Sequence, residues 1–505
     1  MNADHAPIAI RHGRLLSTAH EAGILADILI VGPHIAEIAP PGGLSCDAGR
    51  VIDATDCLVM PGLINGHTHA HGGLGRGAVA DCVSLEGFLA QAPAINGART
   101  LADLALSARL SAVEMVRHGC TACFDMAAEA PQSTVAGLLA VGSAYHDVGL
   151  RAVVAPMIAD KTLYQAYPPL LDSLSPDLRA QAAAQRLPGA ADLAAMCRDA
   201  QAAWPYDRSL LQLGVAPTIP LHCSDELLLA CARISQEFDV PLQTHLAESK
   251  LQALFGRQLQ GESPVTRLAR LGCLTPRTSV AHAVWLDDED MATLARHGVT
   301  AIHNPLSNLR LGSGVAPLRR LMDAGVRVGV GTDGSNTSDG QNMFEAMRMA
   351  AYLSRVGTPD WSRWVSTQEA LALAVCGGAG VLGPEPREGR RLGRIEPGYL
   401  ADLLLIDLAQ THFVPLRRLL QQLVMAESGA GLRQVMVHGR VIFDGGRVLG
   451  VDERQLRADA QEAATRLDAA NARAREAGAA LNPAWARFCA QAGGAEFSIQ
   501  RHMTP

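Results

Sequence analysis

From Leu58 onward the chain alternates eight times between short apolar, β-rich runs and stretches of helical periodicity. The runs cover residues 59–67, 120–124, 152–157, 210–216, 242–245, 278–281, 300–303 and 326–331. Between them, stretches such as 101–118, 224–237 and 287–297 set apolar residues three or four apart, the period of a helix with one buried face. Strands separated by helices lie parallel, because each crossover carries the chain back to the same end of the sheet. Eight such units over about 270 residues predict an α/β fold of the (β/α)8 TIM-barrel type. An open doubly wound sheet is the alternative. No glycine-rich dinucleotide fingerprint follows an early strand, which counts against it.

The flanks read differently. Residues 8–52 give short strands split by turns at Gly32-Pro33 and Pro40-Pro41-Gly42-Gly43. Strands return beyond Gly389, at 403–407, 435–438 and 441–444, and Asp444-Gly445-Gly446 makes a turn. Both flanks together predict one small β-sandwich domain built from the two chain ends. The expected organisation is therefore 1–58 as its first part, 59–388 as the barrel, 389–452 as its second part and 453–505 as a helical extension. Within that extension, 453–480 is rich in alanine and charge and is predicted helical. One connection, 160–208, is far longer than an ordinary βα loop. It reads either as a lid over the barrel mouth or as a surface elaboration.

Composition narrows the function classes. Lys and Arg number 43 against 50 Asp and Glu, a net charge of -7 without a basic block, so nucleic acid is not an expected partner. No window approaches ~18 uninterrupted apolar residues and Met1–Arg14 lacks a secretion-signal pattern. No membrane association is expected, and the location is read as cytoplasmic. Eleven cysteines lie scattered along the chain, as reduced thiols would.

The chemistry is carried by polar residues at the ends of the apolar runs. In His67-Thr68-His69 the two imidazoles are two residues apart, so on a strand they face the same way. His245 ends the fifth run, His282 the sixth and Asp333 the eighth. Each alone has a plain explanation, as a packed histidine or a helix-capping aspartate. In a barrel, all five converge on the C-terminal mouth, where polar residues serve catalysis. Imidazole nitrogen and carboxylate oxygen suit a zinc ion, and also Fe(II), Mn(II) or Co(II). With one position left open, such an ion holds a water whose pKa falls to roughly 7.

The chain resembles the amidohydrolase superfamily, in the branch of cytosine deaminases, guanine deaminases and triazine hydrolases. The stretches that carry the resemblance are Pro61-Gly-Leu-Ile-Asn-Gly-His-Thr-His69, His245-Leu-Ala-Glu248, Ala281-His282, His303-Asn-Pro-Leu-Ser-Asn-Leu309, Gly331-Thr-Asp-Gly334 and Gly393-Arg-Ile-Glu-Pro-Gly-Tyr-Leu-Ala-Asp-Leu403. They span roughly residues 20–450, in order. The resemblance implies that His67, His69, His245 and Asp333 ligate a single divalent metal, that Glu248 shuttles protons and that His282 orients and helps deprotonate the attacking water. Binuclear relatives carry a carbamylated lysine at the fourth strand; residues 210–219 hold none, which favours one metal. Thr218 stands where nucleoside deaminases of the family place a substrate-facing histidine, which counts against a nucleoside substrate. His71, Thr218 and His303 are candidate substrate contacts, and the glycines after His71 imply a tight loop with room above the metal.

The expectation is therefore a metal-dependent hydrolase of non-peptide carbon–nitrogen bonds in a small molecule. Deamination of an amino-substituted nitrogen heterocycle comes first. Hydrolysis of a urea or carbamate, or dechlorination of a triazine, comes second. A barrel serving as a non-catalytic scaffold would have lost its ligands, and this one keeps them all. A homo-oligomer, taken as a dimer, is expected.

Overall fold

The computed structural model describes residues 6–16, 23–45, 48–383 and 391–502; the expected boundary at 388/389 lies outside them. Among the described residues, eight parallel barrel strands follow the sequence order: Leu63–Thr68, Cys120–Ala127, Arg151–Ile158, a fourth in two pieces (Leu211–Leu213 and Ala216–Pro217), Leu242–Leu246, Thr278–His282, Thr300–His303 and Arg327–Val330. They hydrogen-bond as two four-strand halves. One seam between the halves is a parallel bridge from Val215 to Leu242. The other joins the eighth strand to the first, where the Asp333 amide donates to the His67 carbonyl at 2.9 Å and the Thr332 amide to Asn65 Oδ1 at 3.0 Å.

The helices form where the sequence supplies both an apolar face and a cap. Leu101–Arg117 begins with a Thr100/Asp103 capping box and turns Leu104, Ala108, Ala112 and Met115 inward. Asp288–Arg296 starts from an Asp287/Asp290 box, and Asp225–Phe238 from Ser224, whose Oγ accepts from the Leu227 amide at 3.1 Å.

The chain ends share a nine-stranded sheet among the described residues. Cys57–Pro61 runs antiparallel to Leu403–Asp407 and joins the N-terminal to the C-terminal strands. The sheet curls, so that the Ala401 amide reaches the Pro33 carbonyl at 2.8 Å, and it encloses its own core of Ile10, Ile28, Ile30, Val59, Leu403 and Leu405. The strand expected over 59–67, and the boundary at 58/59 with it, is corrected here. Cys57–Pro61 belongs to the curled sheet, and the chain crosses into the barrel at Gly62. A Cβ there would lie 2.0 Å from Thr121 Oγ1, so only glycine passes. A buried ion pair ties the two units together: Arg151 on the third barrel strand donates to both Asp402 oxygens, at 2.9 and 3.0 Å.

The helix expected over 453–480 is two helices, Glu453–Ala470 and Ala472–Gly493. They break at buried Asn471, whose Nδ2 donates to the Gly97 carbonyl at 2.9 Å instead of facing solvent. The chain then crosses the barrel mouth. Lys250 Nζ holds the Gly493 and Ala495 carbonyls at 2.7 and 2.6 Å, and Arg501 donates to the Val284 and Leu286 carbonyls at 2.9 and 2.6 Å. The long connection splits its duties. Ala190–Ala203 packs against the barrel helices Val135–Val148 and Asp225–Phe238. Its earlier part places Tyr164, Tyr167 and Leu170 against Trp485 and Phe488 of the C-terminal helix.

One helical run among the described residues, Trp361–Leu382, is long and apolar enough to cross a membrane, and half of it is buried in the molecule. It packs on the barrel strands, with a Cβ on Gly377 placed 1.9 Å from the Val328 carbonyl and one on Gly378 placed 2.8 Å from Ile64. Backbone lies on backbone here, with no slack to absorb a methyl group. Gly377→Ala is expected to lower unfolding free energy in denaturant titration by about 1–3 kcal/mol. Gly493→Ala, on a helix with open space around the same position, should be neutral or stabilising by up to ~1 kcal/mol. Equal effects at the two sites would contradict the packing described.

Candidate active site

Period-two geometry and parallel strands bring the strand-end residues together. His67 is fully buried, and His69, His245, His282, Asp333 and Glu248 are between 1 and 7% exposed. His69 Nε2 lies 3.1 Å from His245 Nε2 and 3.3 Å from Asp333 Oδ1, and His67 Nε2 lies 3.7 Å from that same oxygen. His282 Nε2 is 3.5 Å from Glu248 Oε2 and 3.9 Å from Asp333 Oδ2. Turning these side chains inward takes unusual backbone. Ala247, His282, Ala283 and Asp333 all have positive φ, at 44°, 73°, 49° and 64°, a conformation that costs of order 1 kcal/mol or more in a residue with a Cβ.

The far nitrogen of each imidazole is fixed by an acceptor. His69 Nδ1 donates to the Met126 carbonyl at 2.8 Å and His245 Nδ1 to the Thr218 carbonyl at 2.6 Å. Gln243 donates through its Nε2 to the Gly66 carbonyl and Ser279, which turns its Oε1 toward His67 Nδ1 at 2.7 Å. Asn308 Oδ1 does the same for His282 Nδ1 at 2.9 Å. Every Nδ1 therefore carries the proton, and every Nε2 presents a lone pair to the centre. Ser307 Oγ and the Gly334 amide donate to the two Asp333 oxygens at 2.6 and 2.7 Å.

Electrostatics follow from burial. Burial, then the charge of His69, pushes His67 down to about 3; burial, then His67, holds His245 well below the ordinary histidine range. Burial also lowers His282. For Asp333 burial works upward, but the surrounding imidazoles outweigh it and hold the carboxyl below its usual range. Glu248 goes the other way: burial first, then Asp333 and Glu86, raise it well above an ordinary glutamate. The result is His67, His245 and His282 held neutral beside an ionised Asp333 and a carboxyl group that readily holds a proton.

This donor set fits a divalent cation. Two imidazole lone pairs facing each other at 3.1 Å repel, and a cation bound by both relieves the repulsion. His67 Nε2 is buried with no hydrogen-bond partner at all. Groups of His67, His69 and His245, and of His67, His282 and Asp333, each bring one donor atom per residue within 4.8 Å of one another. All donors are nitrogen or oxygen, as zinc and its divalent neighbours accept.

Above the cluster lies a cavity of about 70 Å³. His71 and Thr218, both singled out in the sequence, line it. His303 does not; its ring is buried with neither nitrogen partnered. Sequence reasoning missed Gln243, Ser307 and Asn308, which orient the cluster. It also missed the helix Leu85–Asn96, whose Leu85, Phe88 and Leu89 form much of the cavity wall. Gln243 carried a signal, being two residues before His245 on the same strand face.

The profile of the amidohydrolase family matches residues 58–442. A 5-methylthioadenosine/S-adenosylhomocysteine deaminase of Syntrophobacter fumaroxidans is 32% identical over 432 residues, covering 84% of this chain and 90% of that protein. A 5'-deoxyadenosine deaminase of Methanothermobacter thermautotrophicus is 31% identical, covering 87% and 94%. Among solved structures, an adenosine deaminase from Xanthomonas campestris with bound zinc superposes with a TM-score of 0.78 at 26% identity, covering 92% of this chain and 98% of that one. Atrazine chlorohydrolase from Arthrobacter aurescens, complexed with zinc, gives 0.79 at 27% identity, covering 90% and 100%.

Gln243 tests the orienting role. Gln243→Leu removes the acceptor that fixes the His67 tautomer while keeping similar bulk, and it should weaken zinc affinity by about 10–100-fold in chelator competition. Affinity equal to that of the unmodified protein would show that the bond at His67 Nδ1 is not what sets the donor.

Proposed function

The chain belongs to the amidohydrolase family, and from that premise we propose that it hydrolytically removes an amino group from a nitrogen heterocycle. The observation that carries this reading is the convergence of three unprotonated Nε2 atoms and the Asp333 carboxylate beneath Glu248 and His282. The names of the relatives, deaminases acting on adenine-containing compounds, support the choice of reaction. We also read the curled sheet with its separate core as the β-sandwich expected from the two chain ends.

His67, His69, His245 and Asp333 would hold one divalent ion, and the zinc in two of the solved relatives supports zinc. When bound, it supplies a polarised water with a pKa near neutrality and an electrostatic partner for charge that develops on the substrate. The remaining steps belong to the chain. His282, with its Nδ1 tied to Asn308, offers Nε2 as an acceptor that aligns the attacking water. Glu248 Oε1, buried and without a partner, takes the proton that the water gives up. It then returns that proton to the ring nitrogen or the departing amine. A carbon–oxygen bond forms, the carbon–nitrogen bond breaks and ammonia leaves. The raised pKa of Glu248 suits a group that must both accept and donate. A second reading, displacement of chloride from a triazine, rests on the structural likeness to the chlorohydrolase. Release of chloride from a chlorotriazine without ammonia from any amino heterocycle would favour it.

Glu248→Gln keeps the shape and deletes the titratable proton. It should retain near-normal metal content and lose at least ~100-fold in kcat. His245→Ala should lose metal together with activity. A Gln variant that keeps most of its kcat would remove Glu248 from the proton path. The purified chain should hold about one ion, and full activity after exhaustive chelation would overturn the mechanism.

A further inference from the structure

Glu248 stands in a short connection whose shape is set from outside. Its amide donates to Gln252 Oε1 at 2.9 Å, and Ala247 before it has a positive φ of 44°. Such backbone, in a residue with a Cβ, persists only where its surroundings over-determine it. Those surroundings are the residues just past His282. The Ala283 amide donates to the Leu246 carbonyl at 3.1 Å, and the Trp285 amide to the Ala247 carbonyl at 2.9 Å. Ala283 is itself at a φ of 49°. Trp285 then reaches the connection after the seventh strand, where its Nε1 donates to the Ser313 carbonyl at 2.7 Å. One buried tryptophan thus joins the segments that carry Glu248, His282 and Asn308.

Residues 494–502, which lie beyond the stretch that the family profile matches, cover this junction. They meet the connections after the fifth, sixth and seventh strands. Lys250, two residues past Glu248, holds the strap at the Gly493 and Ala495 carbonyls. Phe497 and His502 lie against the Trp285 ring, with centroids 6.3 and 5.0 Å away, and Ile499 is buried in the main core. Arg501 makes the central contact. Its Nε donates to the Val284 carbonyl and a terminal nitrogen to the Leu286 carbonyl, while its own carbonyl accepts from the Val315 amide at 2.9 Å. His502 Nε2 lies 3.1 Å from the Gly312 carbonyl. A trans peptide points the Val284 carbonyl away from the Trp285 amide. The segment is therefore gripped on both edges, by Ala247 on one and by Arg501 on the other. Burial lowers Arg501 to about 10, still well above neutrality, so these bonds come from a charged guanidinium and are the stronger for it.

We propose that residues 494–502 form a positioning clamp for the reaction, in which Arg501, through the Val284–Leu286 segment, and Lys250 hold the Glu248 connection where proton transfer needs it. The role in the reaction rests on the deamination reading above; the clamp itself rests on the hydrogen bonds. Neither Arg501 nor Lys250 lines the cavity, so both act through other residues. The histidine and aspartate cluster is held separately, by the strands and by the seam between the eighth and the first, where the Asp333 amide bonds the His67 carbonyl.

The test uses the full-length, zinc-loaded chain and its Arg501→Ala variant, with two readouts. Hydrogen exchange reads the clamp without any substrate. The Ala283 and Trp285 amides should exchange at least ~10-fold faster in the variant, while the Thr332 and Asp333 amides at the barrel seam keep their rates. Kinetics are then measured on an amino heterocycle that the unmodified chain deaminates. There kcat should fall by about 10–100-fold, the cost of displacing a reacting group by ~1 Å, with KM within about 3-fold and zinc content unchanged. Arg501→Lys should restore most of kcat, since one ammonium can hold two carbonyls, as Lys250 does. Lys250→Met removes the other anchor and carries the same kinetic expectation where Arg501→Ala does not fold. Unchanged exchange at Ala283 and Trp285 overturns the clamp. Faster exchange with kcat unchanged, or a fall in kcat matched by loss of zinc, overturns the positioning role. Absence of ammonia from every amino heterocycle with the unmodified chain overturns the deamination reading instead, and the exchange rates still decide the clamp.

Discussion

The structure depends on the seam where the eighth barrel strand meets the first. Asn65 accepts from the Thr332 amide and donates to Thr332 Oγ1 at 2.7 Å. Gln341 Nε2 and Thr68 Oγ1 both donate to the Asp333 carbonyl, at 2.8 and 3.1 Å, while the Asp333 amide holds the His67 carbonyl. Gly331 leaves the two backbones room, since a Cβ there would lie 2.8 Å from the His67 oxygen. All of these polar groups are buried, so breaking one bond strands its partner in a medium of low polarity. The network both closes the barrel and fixes the position of Asp333 relative to His67 and His69. The same bonds serve the fold and the site.

That shared use explains how legible the site was in the sequence. His67, His69, His245, His282 and Asp333 stand at the ends of apolar runs, and a residue's place on a strand sets the direction of its side chain. The barrel sets the end at which they meet. The orienting residues are different. Gln243, Ser307, Asn308 and Gln341 are ordinary polar residues whose roles arise only when distant strands touch. Ser307 and Asn308 even stand in the stretch 303–309 that carries the family resemblance, without a role that their spacing alone could assign. The strand boundary at Gly62 was hidden for a related reason. Residues 57–68 are apolar enough to read as one strand, and the hand-over between two sheets depends on Thr121, far along the chain.

The cluster is costly to the fold. Three imidazoles with converging lone pairs, an ionised carboxylate and a raised glutamate sit together where little water reaches, on backbone turned to positive φ at four positions. Nothing in the packing requires this arrangement; aliphatic residues at the same strand ends would be more stable. Local conflicts of this kind mark function, because the rest of the sequence agrees with its structure. The capping boxes, the helical periods and the strand order all point to the same barrel.

The polar cluster and the apolar wall above it are built from different parts of the chain. The histidine and aspartate cluster comes from strand ends that the barrel holds rigidly. The apolar wall comes largely from the helix Leu85–Asn96, which lies outside the strand network. Its outer face packs on the C-terminal helix Ala472–Gly493, where Gln91 Nε2 meets Asn482 Oδ1 at 3.3 Å and Ser84 Oγ meets Cys489 Sγ at 3.6 Å. That C-terminal helix is pinned in turn by Lys250, two residues past Glu248, through the Gly493 and Ala495 carbonyls. The segment most distant in sequence thus sets the position of the cavity's apolar wall, and it does so from an anchor beside Glu248. A barrel arranged this way can reshape its cavity by altering its C-terminal strap or the helix beneath it, while the strand ends that bear the histidine and aspartate cluster keep their geometry.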